Sequence, residues 1–123
     1  TRIVFLGRQN MRQLPEIYRR ADIFVLPSNT ESFGQVLLQA AAAGCAIVAT
    51  RTPGASRIVR DGETGILTAI GSREELQSAI ERLIVDKELR LRLGSAARMM
   101  AEGYSQDEAV EKLMNFWKEV AKQ

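Results

Sequence analysis

The apolar positions along the chain follow two alternating periods. IVFLG (residues 3–7) is a short β-branched run closed by glycine, which predicts a buried strand. Leu14, Ile17, Tyr18 and Ala21 then line one face of a helix, with Pro15 in its first turn, where a missing N–H costs little. IFVLP (23–27) predicts a second strand. Val36, Leu37, Ala40 and Ala41 make the next helical face, closed by Gly44. AIVAT (46–50) predicts a third strand and GILTA (65–69) a fourth. Strand, helix and strand in alternation, with strands apolar throughout, is the pattern of right-handed βαβ units in a parallel sheet covered on both faces.

The second half of the chain is helical in pattern. Ser72 and Glu75 form a capping box ahead of Leu76, Ala79, Ile80 and Leu83. Another helix follows Asp86, carrying Leu89, Leu93, Ala96, Ala97 and Met100, with its end expected at Gly103. Ser105 and Glu108 open a last helix with Val110, Leu113, Phe116, Trp117 and Val120. No linker, repeat or low-complexity tract interrupts the chain. The expected organisation is a single α/β domain over residues 1–123, a parallel sheet of about four strands flanked by helices with a helical C-terminal tail.

Composition narrows the chemistry. The 123 residues are 46% apolar and 26% charged, ordinary for one globular domain. No apolar run approaches the ~20 residues of a membrane span, and no signal-peptide pattern is visible. The single cysteine, Cys45, excludes an internal disulfide and fits a cytoplasmic setting; its place between Gly44 and a strand predicts a small buried residue. There is no histidine, so the commonest general base and metal ligand is absent, and no metal is expected. Residues 1–60 hold eight arginines and three acids, a balance of +5, whereas residues 61–123 hold nine basic residues and twelve acids, −3. A basic first half suits an anionic ligand. Nucleic acid is not expected, because no basic residues interleave with aromatics.

The candidate chemistry lies in PSNTESFGQVLLQAAAAG (27–44), which joins a strand to a helix. In open parallel sheets, ligands bind at the carboxyl ends of strands. The first amides of a helix lack intrahelical partners and sit at its positive pole, so the N–H groups of Ser32, Phe33 and Gly34 form a candidate cradle for phosphate. Glu31 offers a hydrogen-bond acceptor to hydroxyl groups, and Thr30 borders the same turn. Phosphate on amides and hydroxyls on a carboxylate describe a sugar phosphate or nucleotide sugar. Ser28, Asn29 and Thr30 serving only as turn and N-cap explain the same residues.

DIFVLPSNTESFGQVLLQAAAAGCAIVAT, with IVFLG before it and PGASRIVRDGETGIL after it, resembles the donor-binding C-terminal domain of retaining GT-B glycosyltransferases of the group 1 (family 4) type. Six blocks in register carry the resemblance, which covers nearly the whole chain. It implies a Rossmann-like sheet and glycosyl transfer from a nucleotide sugar, with no metal. Glu31 matches the family's first glutamate, which meets hydroxyls of the transferred sugar. Gln39 stands where the second glutamate usually holds the ribose, and Arg57 stands where the pattern has another glutamate. An amide at 39 lacks the charge-assisted bond a carboxylate makes.

The resemblance also implies a missing acceptor-side domain or upstream chain, and with it two strands that separate IVFLG from IFVLP. IVFLG is expected to close against IFVLP instead, giving four parallel strands in sequence order. Phe116 and Trp117 lose their family partner, so a homodimer is an expectation. Any peripheral membrane association would run through the missing domain. The chain alone is expected to be inactive. The alternatives are a non-catalytic nucleotide-sugar or phosphate-binding module and a folded fragment without ligand; a sugar-nucleotide epimerase fits SFGQVLLQA less well.

Overall fold

The run AIVAT is the centre of the fold. In the computed structural model, which describes residues 3–10, 12–30 and 34–104, all five of its residues are buried. Call the strand Ile23–Leu26 β1, Ala46–Thr50 β2 and Ile66–Thr68 β3; they form one parallel sheet in the order β1-β2-β3. Ile23 pairs with Ala46 and Leu26 with Ala49, while Val48 pairs with Ile66 and Thr50 with Thr68. Parallel neighbours need a crossover between them, and helices supply it. They are α1 (Leu14–Arg20), α2 (Gln35–Ala42), α3 (Pro53–Ile58), α4 (Arg73–Val85) and α5 (Lys87–Tyr104).

Side chains alternate across a strand, so β2 feeds two cores. Ile47 and Ala49 face Leu37, Leu38 and Ala41 of α2 and Ala55 and Ile58 of α3. Ala46 and Val48 face Ala79 and Leu83 of α4. Helix α5 serves both faces: Leu89 and Leu93 pack with the α4 cluster, and Ala97 and Ala101 with the α2 cluster. The crossing point is Gly94. A Cβ there would stand 2.5 Å from the Gly44 carbonyl oxygen and 3.7 Å from the Ala46 nitrogen, at the start of β2. Helix α5 therefore closes the amino end of the sheet.

Local signals explain the helix ends. The Thr52 hydroxyl accepts the Ala55 N–H at 3.2 Å and Pro53 takes the first helical position, so the six residues of α3 begin without an orphan donor there. Sequence periodicity missed α3 because one and a half turns carry no repeat; Thr-Pro was the available signal. Ser72 caps α4 through the Glu75 N–H at 3.2 Å, but the Glu75 carboxylate accepts the Ala69 N–H rather than reaching back to Ser72, so only half of the expected box forms. Asp86 caps α5 through the Leu89 N–H at 3.0 Å.

Three expectations are corrected. IVFLG is not a strand: Ile3, Val4, Phe5 and Leu6 are 77%, 65%, 93% and 57% exposed, and β1 pairs only with β2 among the described residues. The sheet there has three strands, not four. Apolar, β-branched composition makes a segment compatible with a strand, whereas a strand exists only beside a partner in register. Gly103 does not end its helix, since α5 runs through it to Tyr104. The expected last helix, with Phe116 and Trp117, lies outside the described residues. Among those described, no helix is long and apolar enough to cross a membrane.

Candidate functional site

With α5 at the amino end of the sheet, the carboxyl ends of the strands are where the connecting segments 27–34, 51–52 and 69–72 emerge. The first of these carries the predicted chemistry. Ser28 is half-buried, Asn29 and Thr30 are exposed, and Gly34 is buried at the head of α2. Glu31, Ser32 and Phe33 lie outside the described residues. The polypeptide places them between Thr30 and Gly34, hence on the span from the end of β1 to the start of α2.

Both ends of this span are tied to the scaffold. At its start, Thr50, buried at the end of β2, donates its hydroxyl to the Ser28 carbonyl and is 3.4 Å from that of Leu26. At its end, Gly34 takes φ +75°, a left-handed conformation that other residues adopt only with strain. A Cβ at Gly34 would lie 2.8 Å from Ile58 Cδ1 and 3.3 Å from the Gly54 carbonyl oxygen. The glycine is thus required by α3 packing and by its backbone angle.

Gln39 lies on α2, one residue before the buried Ala40 and Ala41. Its Oε1 is buried with no hydrogen-bond partner among the described residues. An acceptor buried without a donor costs about 1–3 kcal/mol. Arg57 is exposed in the last turn of α3, and its backbone carbonyl accepts the Tyr104 hydroxyl at 2.8 Å, tying α3 to α5. Arg8 is exposed.

Arg51 was missed by sequence reasoning. It follows β2 directly, and its N–H continues the ladder to the Thr68 carbonyl at 2.8 Å. Its guanidinium lies 3.6 Å from Asp61 and 3.4 Å from the Leu67 carbonyl, while Asp61 accepts the Leu67 N–H at 3.0 Å. Leu67 turns both backbone groups away from β2, and the Arg51–Asp61 pair satisfies them where a neighbouring strand would. Both side chains are about half exposed, so the pair contributes through these hydrogen bonds more than through its charge.

Cys45 is fully buried, as expected, beside Tyr18. Its thiol donates to the Tyr18 carbonyl at 3.1 Å. Burial pushes the thiol's pKa up, with the charge of Asp22 adding to it; burial likewise raises the Tyr18 phenol, with Cys45 adding. A thiol held neutral and covered is not a nucleophile. A separate groove of about 330 Å³ lies between β3 and α4, lined by Ile66, Thr68, Glu75, Ser78 and Arg82 among others. None of residues 28–30, 34 and 39 lines it, so it is apart from the candidate loop. Among the described residues, no cluster of three or more acidic or cysteine side chains is placed to hold a metal ion.

Comparison with known proteins bears on this arrangement. The profile of the family described as glycosyl transferases group 1 matches residues 1–100. The D-inositol 3-phosphate glycosyltransferase of Corynebacterium jeikeium is 35% identical over 116 residues, which are 94% of this chain and 28% of that protein. Among solved structures, sucrose-phosphate synthase from Thermosynechococcus elongatus superposes with a TM-score of 0.82 at 28% identity, over 97% of this chain and 30% of that one. HepE of Anabaena, solved in complex with UDP-glucose, gives a TM-score of 0.72 at 28% identity, over 89% of this chain and 29% of that one. The chain spans between a quarter and a third of the length of these relatives.

Proposed function

Since the chain belongs to the glycosyl transferases group 1 family, we propose that it is the part of a retaining glycosyltransferase that binds the nucleotide-sugar donor. The observation that carries this reading is the placement of residues 28–30 and of Gly34. The former follow the carboxyl end of β1 and the latter heads α2, on the side of the sheet away from the crossing of α5 at Gly94. The amides of Ser32, Phe33 and Gly34 receive the diphosphate at the positive pole of α2. Glu31 accepts hydroxyl protons of the sugar and holds it for attack at the anomeric carbon. Thr30 borders the phosphate. Gln39 takes the ribose, whose hydroxyl supplies the donor that its buried Oε1 lacks. The fold shared with HepE, a protein seen with UDP-glucose, supports this class of ligand.

The reaction itself needs an acceptor held against the donor, and in this reading a further domain or chain supplies it. With Gln39 in place of a carboxylate, a module that binds the donor without turning it over is the second reading. Calorimetric titration with UDP-glucose, GDP-mannose and ADP-glucose tests both. One of the three should bind, Glu31→Ala should weaken it about tenfold, the loss of a charged hydrogen bond, and chelator should leave the affinity unchanged. Turnover of the bound donor selects the enzyme over the module. Failure of all three donors to bind, or equal affinity in Glu31→Ala, removes the proposal.

A further inference from the structure

We infer that the outer edge of β3 is a pairing surface for a second copy of this chain, held shut by Arg51, Asp61 and Glu75, whatever ligand the loop after β1 takes. Strand residues turn their backbone groups to alternate sides of the ladder. The Arg51 N–H donates to the Thr68 carbonyl at 2.8 Å, so Thr68 faces β2, and Gly65, Leu67 and Ala69 face outward. Apart from an isolated bridge between Asp61 and Gly65, nothing among the described residues pairs with that side of β3 as a strand. A bare edge of this kind is a template for another strand. Here the outward groups from the Gly65 carbonyl to the Ala69 carbonyl are met by local partners instead. The Gly65 carbonyl accepts the Gly62 N–H at 2.8 Å, and the Ala69 carbonyl accepts the Ser72 N–H at 3.1 Å. The Leu67 N–H donates to Asp61 Oδ1 at 3.0 Å, and the Leu67 carbonyl accepts from Arg51 at 3.4 Å. The Ala69 N–H donates to Glu75 Oε1 at 3.2 Å.

The closing side chains come from separate parts of the chain: Arg51 follows β2, Asp61 precedes β3 and Glu75 lies in α4. A turn delivers Asp61. It folds back through the Thr64 N–H on the Arg60 carbonyl at 3.0 Å, with Gly62 at φ +83°. Arg51 and Asp61 are 3.6 Å apart and about half exposed, so solvent screens their attraction and the pair opens at little cost. Leu67 is the middle of the edge. Two copies related by a two-fold axis would set Leu67 against Leu67, and these would exchange both N–H···O bonds as an antiparallel pair does. The opened edge is therefore complementary to itself, which makes the chain its own partner. The bonds to Asp61 and Arg51 are the ones that such pairing has to displace.

The test replaces these side chains in the full chain. Arg51→Ala with Asp61→Ala removes both bonds to Leu67 and leaves the net charge unchanged. Asp61→Asn keeps the acceptor. Asp61→Ala alone, equal in charge to Asp61→Asn, is the variant to use if the double variant does not fold. Sedimentation velocity over a dilution series should show self-association about tenfold stronger in the alanine variant, with Asp61→Asn as the wild type. Hydrogen exchange then locates the contact. At low concentration, amides of residues 65–69 in the alanine variant should exchange about fivefold faster than in the wild type, the worth of one hydrogen bond. At high concentration they should regain protection, while residues 23–26 stay as they were. Self-association no stronger than the wild type's, association that leaves 65–69 unprotected, pairing of the wild type itself through 65–69, or Asp61→Asn associating as strongly as Asp61→Ala would each overturn the inference.

Discussion

Gly34 shows how one residue can be demanded twice. Its φ of +75° excludes side chains by strain, and α3 excludes them by contact. Gly34→Ala should cost about 1–3 kcal/mol, because the left-handed angle is strained for alanine and Ile58 must move. A lowered denaturation midpoint checks this, and it means that loss of ligand in a Gly34 variant cannot be assigned to the phosphate. Glu31→Ala is the cleaner probe. Cys45 makes a second prediction. Its thiol is neutral in the fold and its pKa is raised, so above the ordinary 9.0 the unfolded chain binds fewer protons than the folded one. Stability is then complete below that pH and falls as pH rises through the folded value. Urea midpoints should hold up to about pH 9.0 and drop as the pH rises above it, less so in Cys45→Ala. Reaction of the native chain with a thiol reagent should be slow and should become fast on unfolding. The burial of Cys45 was legible from its setting between a helix-ending glycine and an apolar strand. The double constraint on Gly34 was not, because Ile58 lies 24 positions away in sequence and comes to it through α3.

Among the elements, α5 has the most to lose from a small change. Gly94→Ala improves helix propensity by about 1 kcal/mol, yet it drives a methyl to 2.5 Å from a backbone carbonyl that cannot rotate away. The packing term should win by about 2 kcal/mol or more, so the melting temperature should fall rather than rise. A rise would mean that α5 does not cross where the structure places it. Long periodic helices such as α4 and α5 were readable because many positions repeat one signal. The short α3 and the strand expected at 3–7 were misread for opposite reasons. In α3 a real element was too short to show a period. In IVFLG a clear strand composition lacked a partner.

For the molecule as a whole, order is concentrated in β2. It pairs on both sides and is buried on both faces, so its amides should show the slowest hydrogen exchange of the described residues. The exposed residues 3–6 should exchange within the dead time of the same experiment. If residues 3–6 proved protected, IVFLG would be paired after all. The alternation of apolar runs determined by itself that this chain makes a parallel α/β sheet, and the blocks around residues 23–50 determined its family, because both depend on local composition and spacing. Only the tertiary structure decided which strands find partners, that α5 closes the amino end of the sheet, that the Thr50 hydroxyl reaches the Ser28 carbonyl, and that α3 packs against Gly34. Those facts rest on contacts between residues far apart in sequence, and no local pattern encodes a contact whose other half lies elsewhere in the chain.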